Sequence, residues 1–79
     1  MTPQEIKKVL SNKYTRQLVE YVDSTSKTSK MHLSPQFFHK THTKRDRDII
    51  VKLLLNFYDN KIVIKRIGND GVSIDFSNL

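Results

Sequence analysis

Apolar residues early in the chain recur every three or four positions: Ile6, Val9, Leu10, Tyr14, Leu18, Tyr21 and Val22. That spacing puts them on one face of an α-helix, with Lys7, Lys8, Arg16 and Glu20 mostly on the other. Thr2 can cap this helix, Pro3 suits its first position and Glu5 completes a capping box. Ser11 and Asn12 compete for backbone hydrogen bonds, so the run reads as one long or slightly broken segment ending near Asp23, with two shorter helices as the alternative. Tyr14 and Tyr21 lie on the apolar stripe and are expected in the core or at a dimer contact.

Residues 24–30 contain no apolar side chain and read as a polar loop. Met31, His32 and Leu33 alternate as a short strand would. Ser34 and Pro35 repeat the cap-plus-proline signal and open a short helix over 35–41, in which at least one of Phe37 and Phe38 should enter the core. After a break at 41–43, Thr43 stands three before Asp46, a second capping-box arrangement, and starts a longer helix over 44–58. Its apolar face is Ile50, Leu53, Leu54 and Phe57, with Ile49 at the margin. The opposite face carries Lys44, Arg45, Asp48, Lys52 and Asn56, counting about 100° per residue. Val51 and Leu55 fall off the apolar face and call for a second packing surface.

The hairpin that follows is the natural supplier of that surface. Residues 61–67 and 72–76 are rich in β-branched side chains and flank Gly68-Asn69-Asp70-Gly71, a turn signal. Two registers are open: Lys65 opposite Asp75 with Gly71 left-handed, or Arg66 opposite Asp75 across a two-residue turn. Either one lines Val72, Ile74 and Phe76 on a single face. Asn60 suits the left-handed end of the preceding helix, and 77–79 read as a frayed tail. The expected class is α+β: one small helical domain over 1–79, of about three helices with a C-terminal β-hairpin.

Composition narrows the function. A chain of 79 residues buries a modest core, which favours a binding module over an enzyme with a deep active site. With no cysteine, neither a disulfide framework nor a thiolate zinc site can hold it together. The N-terminus lacks the apolar core of a signal peptide and no run is long enough to span a bilayer, so the expectation is a cytoplasmic protein without a membrane partner. The weight of Lys, Asn and Ile suits an A/T-rich genome and is compatible with a phage or plasmid gene.

Formal net charge is +6, and between Ser24 and Arg45 there are five Lys or Arg residues, three His and no acid. Such a patch favours polyanions, because each phosphate neutralised releases counterions. His39 and His42, three apart, invite a metal reading completed by Asp46 or His32. No glutamate accompanies them as a base, and they read instead as surface histidines that add partial positive charge beside lysines. There is no Gly-rich phosphate loop, no nucleophile elbow and no carboxylate pair in apolar surroundings. Neither an enzyme, a metal nor a cofactor is expected.

What remains is an order of elements: helix, strand, short helix over 35–41, tight turn, helix over 44–58 with a basic N-terminal half, and a hairpin bearing Lys65 and Arg66. In this order the chain resembles winged helix-turn-helix DNA-binding domains. The resemblance implies a winged-helix-like fold, a recognition helix presenting Thr43, Lys44, Arg45, Asp48 and Lys52 with Arg47 at its flank, and wing contacts from Lys65, Arg66 and Asn69. Lys27, Lys30 and Lys40 would add phosphate contacts. The expected function is double-stranded DNA binding by a small transcriptional or replication regulator, as a homodimer that gains contact area and half-site selectivity. The alternative is a non-enzymatic adaptor or inhibitor that docks on a protein complex through exposed apolar residues such as Leu55 or Phe38. RNA binding ranks third, since no sheet surface interleaves aromatic and basic residues.

Overall fold

The computed structural model describes residues 2–27, 31–34, 36–68 and 71–79, with 31–34 as backbone. The elements are α1 (Pro3–Ser11), α2 (Lys13–Ser26), β1 (Met31–Ser34), α3 (Lys44–Phe57), β2 (Val63–Ile67) and β3 (Gly71–Asp75). This is a small α+β fold of three helices with a C-terminal antiparallel hairpin.

Local chemistry explains the helix ends. Thr2 and Glu5 form the reciprocal capping box, the Glu5 N–H donating to Thr2 Oγ1 at 3.2 Å and the Thr2 N–H to Glu5 Oε1 at 3.1 Å. At Asn12 the helical run breaks into two. Its backbone turns extended (φ −74°, ψ 123°), and its side chain accepts the Tyr14 N–H at 2.9 Å, so one residue closes α1 and caps α2. The second helix then runs past Asp23 to Ser26, into the stretch expected as loop. Ser26 Oγ donates to the Asp23 carbonyl at 2.9 Å, a local bond that lets a polar residue sit within a helical turn.

Thr43 and Asp46 cap α3 in the same reciprocal way. Its far end closes as a Schellman motif: the Asn60 N–H reaches the Leu55 carbonyl at 2.8 Å and the Asp59 N–H the Asn56 carbonyl at 3.2 Å. Both Asp59 (φ 53°) and Asn60 (φ 60°) are left-handed, a conformation that their short polar side chains tolerate without glycine.

The helix expected over 35–41 is not formed among its described residues, 36–41, which are bend and turn. Phe37 and Phe38 both enter the core, their rings edge-to-face at 5.3 Å. A helix would point neighbouring side chains about 100° apart, whereas the irregular path buries both. The Thr41 and His39 N–H groups go to imidazole nitrogens instead of helical carbonyls.

The sheet has the order β1-β3-β2, all antiparallel, with Val72 and Ile74 of the central strand and Phe76 just beyond it fully buried. Neither expected hairpin register occurs. Val63 lies opposite Asp75, Ile64 opposite Ile74 and Arg66 opposite Val72, so the left-handed turn glycine is Gly68 (φ +64°), while Gly71 starts β3. This register sets Ile64 opposite Ile74 on the covered face; the Arg66–Asp75 alternative would have turned Ile64 to the other face, whereas the Lys65–Asp75 one would have kept it there opposite Phe76. β1 pairs along the other edge of β3, with Met31 opposite Asp75.

Val9, Leu18 and Val22 meet Ile49, Ile50, Leu53, Leu54, Ile62 and the sheet in one core, against which Ile6, Leu10, Val51 and Leu55 are half-buried. Ile49, expected at the margin, is fully buried; Phe57 is 53% exposed and Tyr21 47%. Periodicity gives the side of a helix, not how far its neighbours extend along it, and full burial along α3 stops at Leu54, with Leu55 half-covered. Residues 77–79 turn back through Ser77 N–H to Asp75 Oδ1 (2.8 Å) and Leu79 N–H to Phe76 O (3.0 Å), so the expected frayed tail is a closed turn. No helix among the described residues is long and apolar enough to cross a membrane.

Two substitutions separate packing from backbone strain. Ile74→Ala should lower the unfolding free energy by about 2–5 kcal/mol. Gly68→Ala adds a methyl that meets nothing within 4 Å, so it should cost only the left-handed backbone, about 1–2 kcal/mol. Urea unfolding followed by circular dichroism measures both, and a Gly68→Ala loss as large as that of Ile74→Ala would contradict this placement of the core.

Candidate nucleic-acid interface

The outward face of α3 carries Lys44, Arg45, Asp48 and Lys52, as the helical count requires. Two of these are engaged by neighbouring elements. Arg45 grips Glu5 with two nitrogens, Nε to Oε2 at 2.7 Å and a terminal nitrogen to Oε1 at 3.2 Å, which ties α3 to the first turn of α1. The same Glu5 completes the α1 capping box. The guanidinium and the Thr2 N–H together hold its carboxyl down to about 2, and the pairing raises Arg45 in turn. On the other flank Arg66 of β2 bonds Asp48, joining the hairpin to the helix. Lys44 and Lys52 are exposed, with no carboxylate partner among the described residues.

The remaining expected contacts scatter. Arg47 is half-buried beside the outward stripe, its guanidinium 5.8 Å from the centre of the Phe38 ring. Successive strand residues face opposite ways, so Lys65 leaves the hairpin on the face with Val63 and Ile67, away from Arg66. Lys27 pairs with Asp23 at 3.7 Å on the surface of α2. Lys40 is exposed in the loop before α3. Asn69 and Lys30 lie outside the described residues. Thr43 spends its hydroxyl on the Asp46 N–H.

The loop 36–43 is tied to the α1–α2 junction by a polar cluster that spacing alone did not disclose. His42, 3% exposed, is buried and not a surface histidine as expected. Its N–H donates to the His39 carbonyl at 2.9 Å, and its Nδ1 accepts the His39 N–H at 3.1 Å. A backbone N–H can only donate, so Nδ1 is unprotonated and the ring proton sits on Nε2, donating to Thr15 Oγ1 at 2.8 Å. Beside it His39 Nδ1 accepts from Thr41 N–H and Oγ1, while Thr41 Oγ1 accepts from Asn12 Nδ2 at 3.3 Å. The His39 ring also stacks on Tyr14, centroids 3.5 Å apart and 6° from parallel. The histidine pair is thus consumed in holding the loop, and no group of metal-binding side chains is found among the described residues.

Thr15, which anchors this cluster from α2, carries no motif of its own. It lies three before Leu18 and seven before Val22, on the buried stripe, and that spacing was the available signal.

Between α2 and this loop is an open cleft of about 640 Å³, walled by Tyr14, Gln17 and Leu18 on one side and by Gln36 to Lys40 on the other, with Arg47 reaching in from α3. Comparison with protein-family models, with curated proteins and with solved structures found no significant match.

Burial holds the His42 imidazole below its ordinary value; Asp46 opposes this, and His39 and Arg47 reinforce it. Protonation would also set an Nδ1 proton against the His39 N–H. The unfolded chain therefore binds the proton more tightly, and stability should fall as pH drops below about 6.5. Glu5 acts in a separate window: its pairing is intact above 4.5 and is lost as pH falls towards 2. Urea unfolding at pH 7.5 and 5.5 should show a loss in the natural protein that His42→Asn largely removes. An equal loss in both would contradict the buried neutral ring.

Proposed function

We propose that this chain is a small double-stranded-DNA-binding protein, a regulator of transcription or replication, that lays α3 against the duplex with the β2–β3 hairpin alongside. The observation that carries the reading is the outward stripe of α3: Lys44 and Lys52 exposed two turns apart, flanked by Arg45 and Arg66. The resemblance to winged helix-turn-helix domains supports the placement of helix and hairpin, although the chain lacks a helical first element over 36–41. Five of the eight acidic residues lie beyond Thr43, and two of them engage in or beside this face. The mode of binding that fits is therefore phosphate contact by Lys44, Lys52 and Lys40, with little base reading by Arg45 or Arg66 while their carboxylates hold them.

Both ion pairs are exposed, and pairs of this kind are weak enough for phosphate oxygens to compete for the guanidinium groups. The molecule is 32 Å along its longest axis, close to one helical turn of DNA, about 34 Å. Two copies side by side would reach successive half-sites.

A second reading is favoured by one observation. Phe57, Val63 and Ile67 are large apolar side chains left 43–53% exposed near the end of α3 and along β2. An adaptor or inhibitor that docks on a protein would use these, since Phe38 is buried and Leu55 half-buried.

Fluorescence anisotropy with random duplex DNA over a series of salt concentrations distinguishes the two. Lys44→Ala with Lys52→Ala should weaken binding and flatten the log–log salt slope by about 2, at roughly 0.9 per phosphate contact. Glu5→Gln, which releases Arg45, should tighten it. Unchanged binding by the double variant, or no binding by the natural protein at low salt, would overturn the DNA reading.

A further inference from the structure

β2 is the outer strand of the sheet, paired with β3 on one side and with no strand on the other among the described residues. Alternate N–H and C=O groups of such a strand point outward, and they form a template on which a further strand can pair. Val63, Lys65 and Ile67 share the face turned away from α3. Val63 is 43% exposed and Ile67 48%, with the exposed Lys65 midway between them. Lys65 forms no ion pair among the described residues. The carboxylate on this face, Asp75, lies diagonally across on β3 and accepts the Ser77 N–H at 2.8 Å.

Charge decides what kind of strand fits this edge. Between Asp59 and Asp70 the chain has Lys61, Lys65 and Arg66 and no acid. A second copy is the poorer occupant. A two-fold axis at Lys65 would match Val63 with Ile67 across the junction, but it would also set Lys65 against its own copy, and like charges directly opposite destabilise a strand pair. The neighbouring registers that keep the faces together put Lys65 opposite Val63 or Ile67, and the apolar match is lost. A strand with a carboxylate between two apolar residues satisfies all of these positions at once.

We propose that the outer edge of β2 is a docking site for an extended segment of a partner protein in which an Asp or Glu is flanked, two residues to either side, by apolar residues. The segment joins the sheet as a further strand: backbone hydrogen bonds supply the affinity, the carboxylate meets Lys65, and the apolar residues cover Val63 and Ile67. The site does not depend on the DNA reading. That reading rests on Lys44 and Lys52 of α3, and the cation of β2 that turns to α3 is Arg66, not Lys65.

The test is a titration of the full chain, followed by amide NMR shifts, with the end-blocked peptide Thr-Val-Thr-Glu-Thr-Val-Thr. Its sequence reads the same in both directions, so strand polarity need not be set beforehand. A version with Lys in place of Glu and a version with Pro in place of the two inner threonines are separate arms. The Glu peptide should give saturable shifts along Val63–Ile67 and slow the hydrogen exchange of β2 amides. The Lys version should bind at least about threefold more weakly, and the Pro version, which lacks the inner N–H donors, should not saturate. Lys65→Glu should reverse the order of the Glu and Lys peptides, a result that loss of folding cannot produce, and Ile67→Ser should weaken the Glu peptide severalfold. Shifts that fail to saturate, equal binding of the two charged peptides, or an order that survives Lys65→Glu would overturn the proposal. Protection of β2 that grows with protein concentration alone would also overturn it and assign the edge to a second copy. Shifts centred on Lys44 and Lys52 would overturn it in favour of general attraction of acids to α3.

Discussion

One buried imidazole sets the frame. The His42 ring accepts a backbone N–H at Nδ1 and donates to the Thr15 hydroxyl at Nε2, and that hydroxyl has no water to turn to. Thr15 is 1% exposed, so loss of this bond would leave a buried hydroxyl unpaired at a cost of about 1–3 kcal/mol. The loop 36–43 has no ladder of its own, and its backbone groups need partners from elsewhere. His42, His39 and Thr41 supply them. With the loop fixed, Phe37 and Phe38 are delivered to the core, and Thr43 arrives in place to cap α3.

The charged side chains then have two different roles. Arg45 with Glu5 and Arg66 with Asp48 fasten α3 to the elements on either side, so residues that sequence order assigned to groove reading are structural in the unbound chain. Lys44 and Lys52 are not held in this way. Under the proposed DNA reading, a surface built thus would favour general attraction to phosphate over sequence discrimination, because discrimination needs rigid side chains aimed at base edges. The cleft on the other side of the loop is formed by the same His42-centred geometry, which places His39 against Tyr14.

The parts legible in the sequence are those determined by near neighbours. Both capping boxes, the apolar stripe of α1 and α2, the buried alternation of Val72, Ile74 and Phe76, and the hairpin itself follow from chemistry within a few residues. The α+β class follows from them. What escaped depends on residues far apart in the chain. The helix over 35–41 was displaced by imidazole acceptors and by a hydroxyl on α2, with Thr15 and His42 separated by 27 positions. The hairpin register sets Ile64 opposite Ile74 and puts the left-handed glycine at Gly68, where the turn pattern had offered Gly71 as readily. Phe57 lies on the apolar side of α3 by angle and remains exposed, since periodicity carries no information about where the opposing layer stops. Of the candidate interface, the outward stripe of α3 was legible. The ion pairs that occupy half of it were not, because Glu5 is 40 residues from Arg45.

The central claim is that His42 is a buried, neutral ring with its proton on Nε2. Nitrogen-15 NMR of the imidazole, taken through a pH titration, tests it directly. The expected result is an Nε2–H tautomer with a coupling to Thr15 and a titration midpoint below the ordinary imidazole value of about 6.5. A ring protonated on Nδ1, or one that titrates at the ordinary value alongside an exposed histidine, would contradict the structure of the loop and with it the placement of the candidate interface.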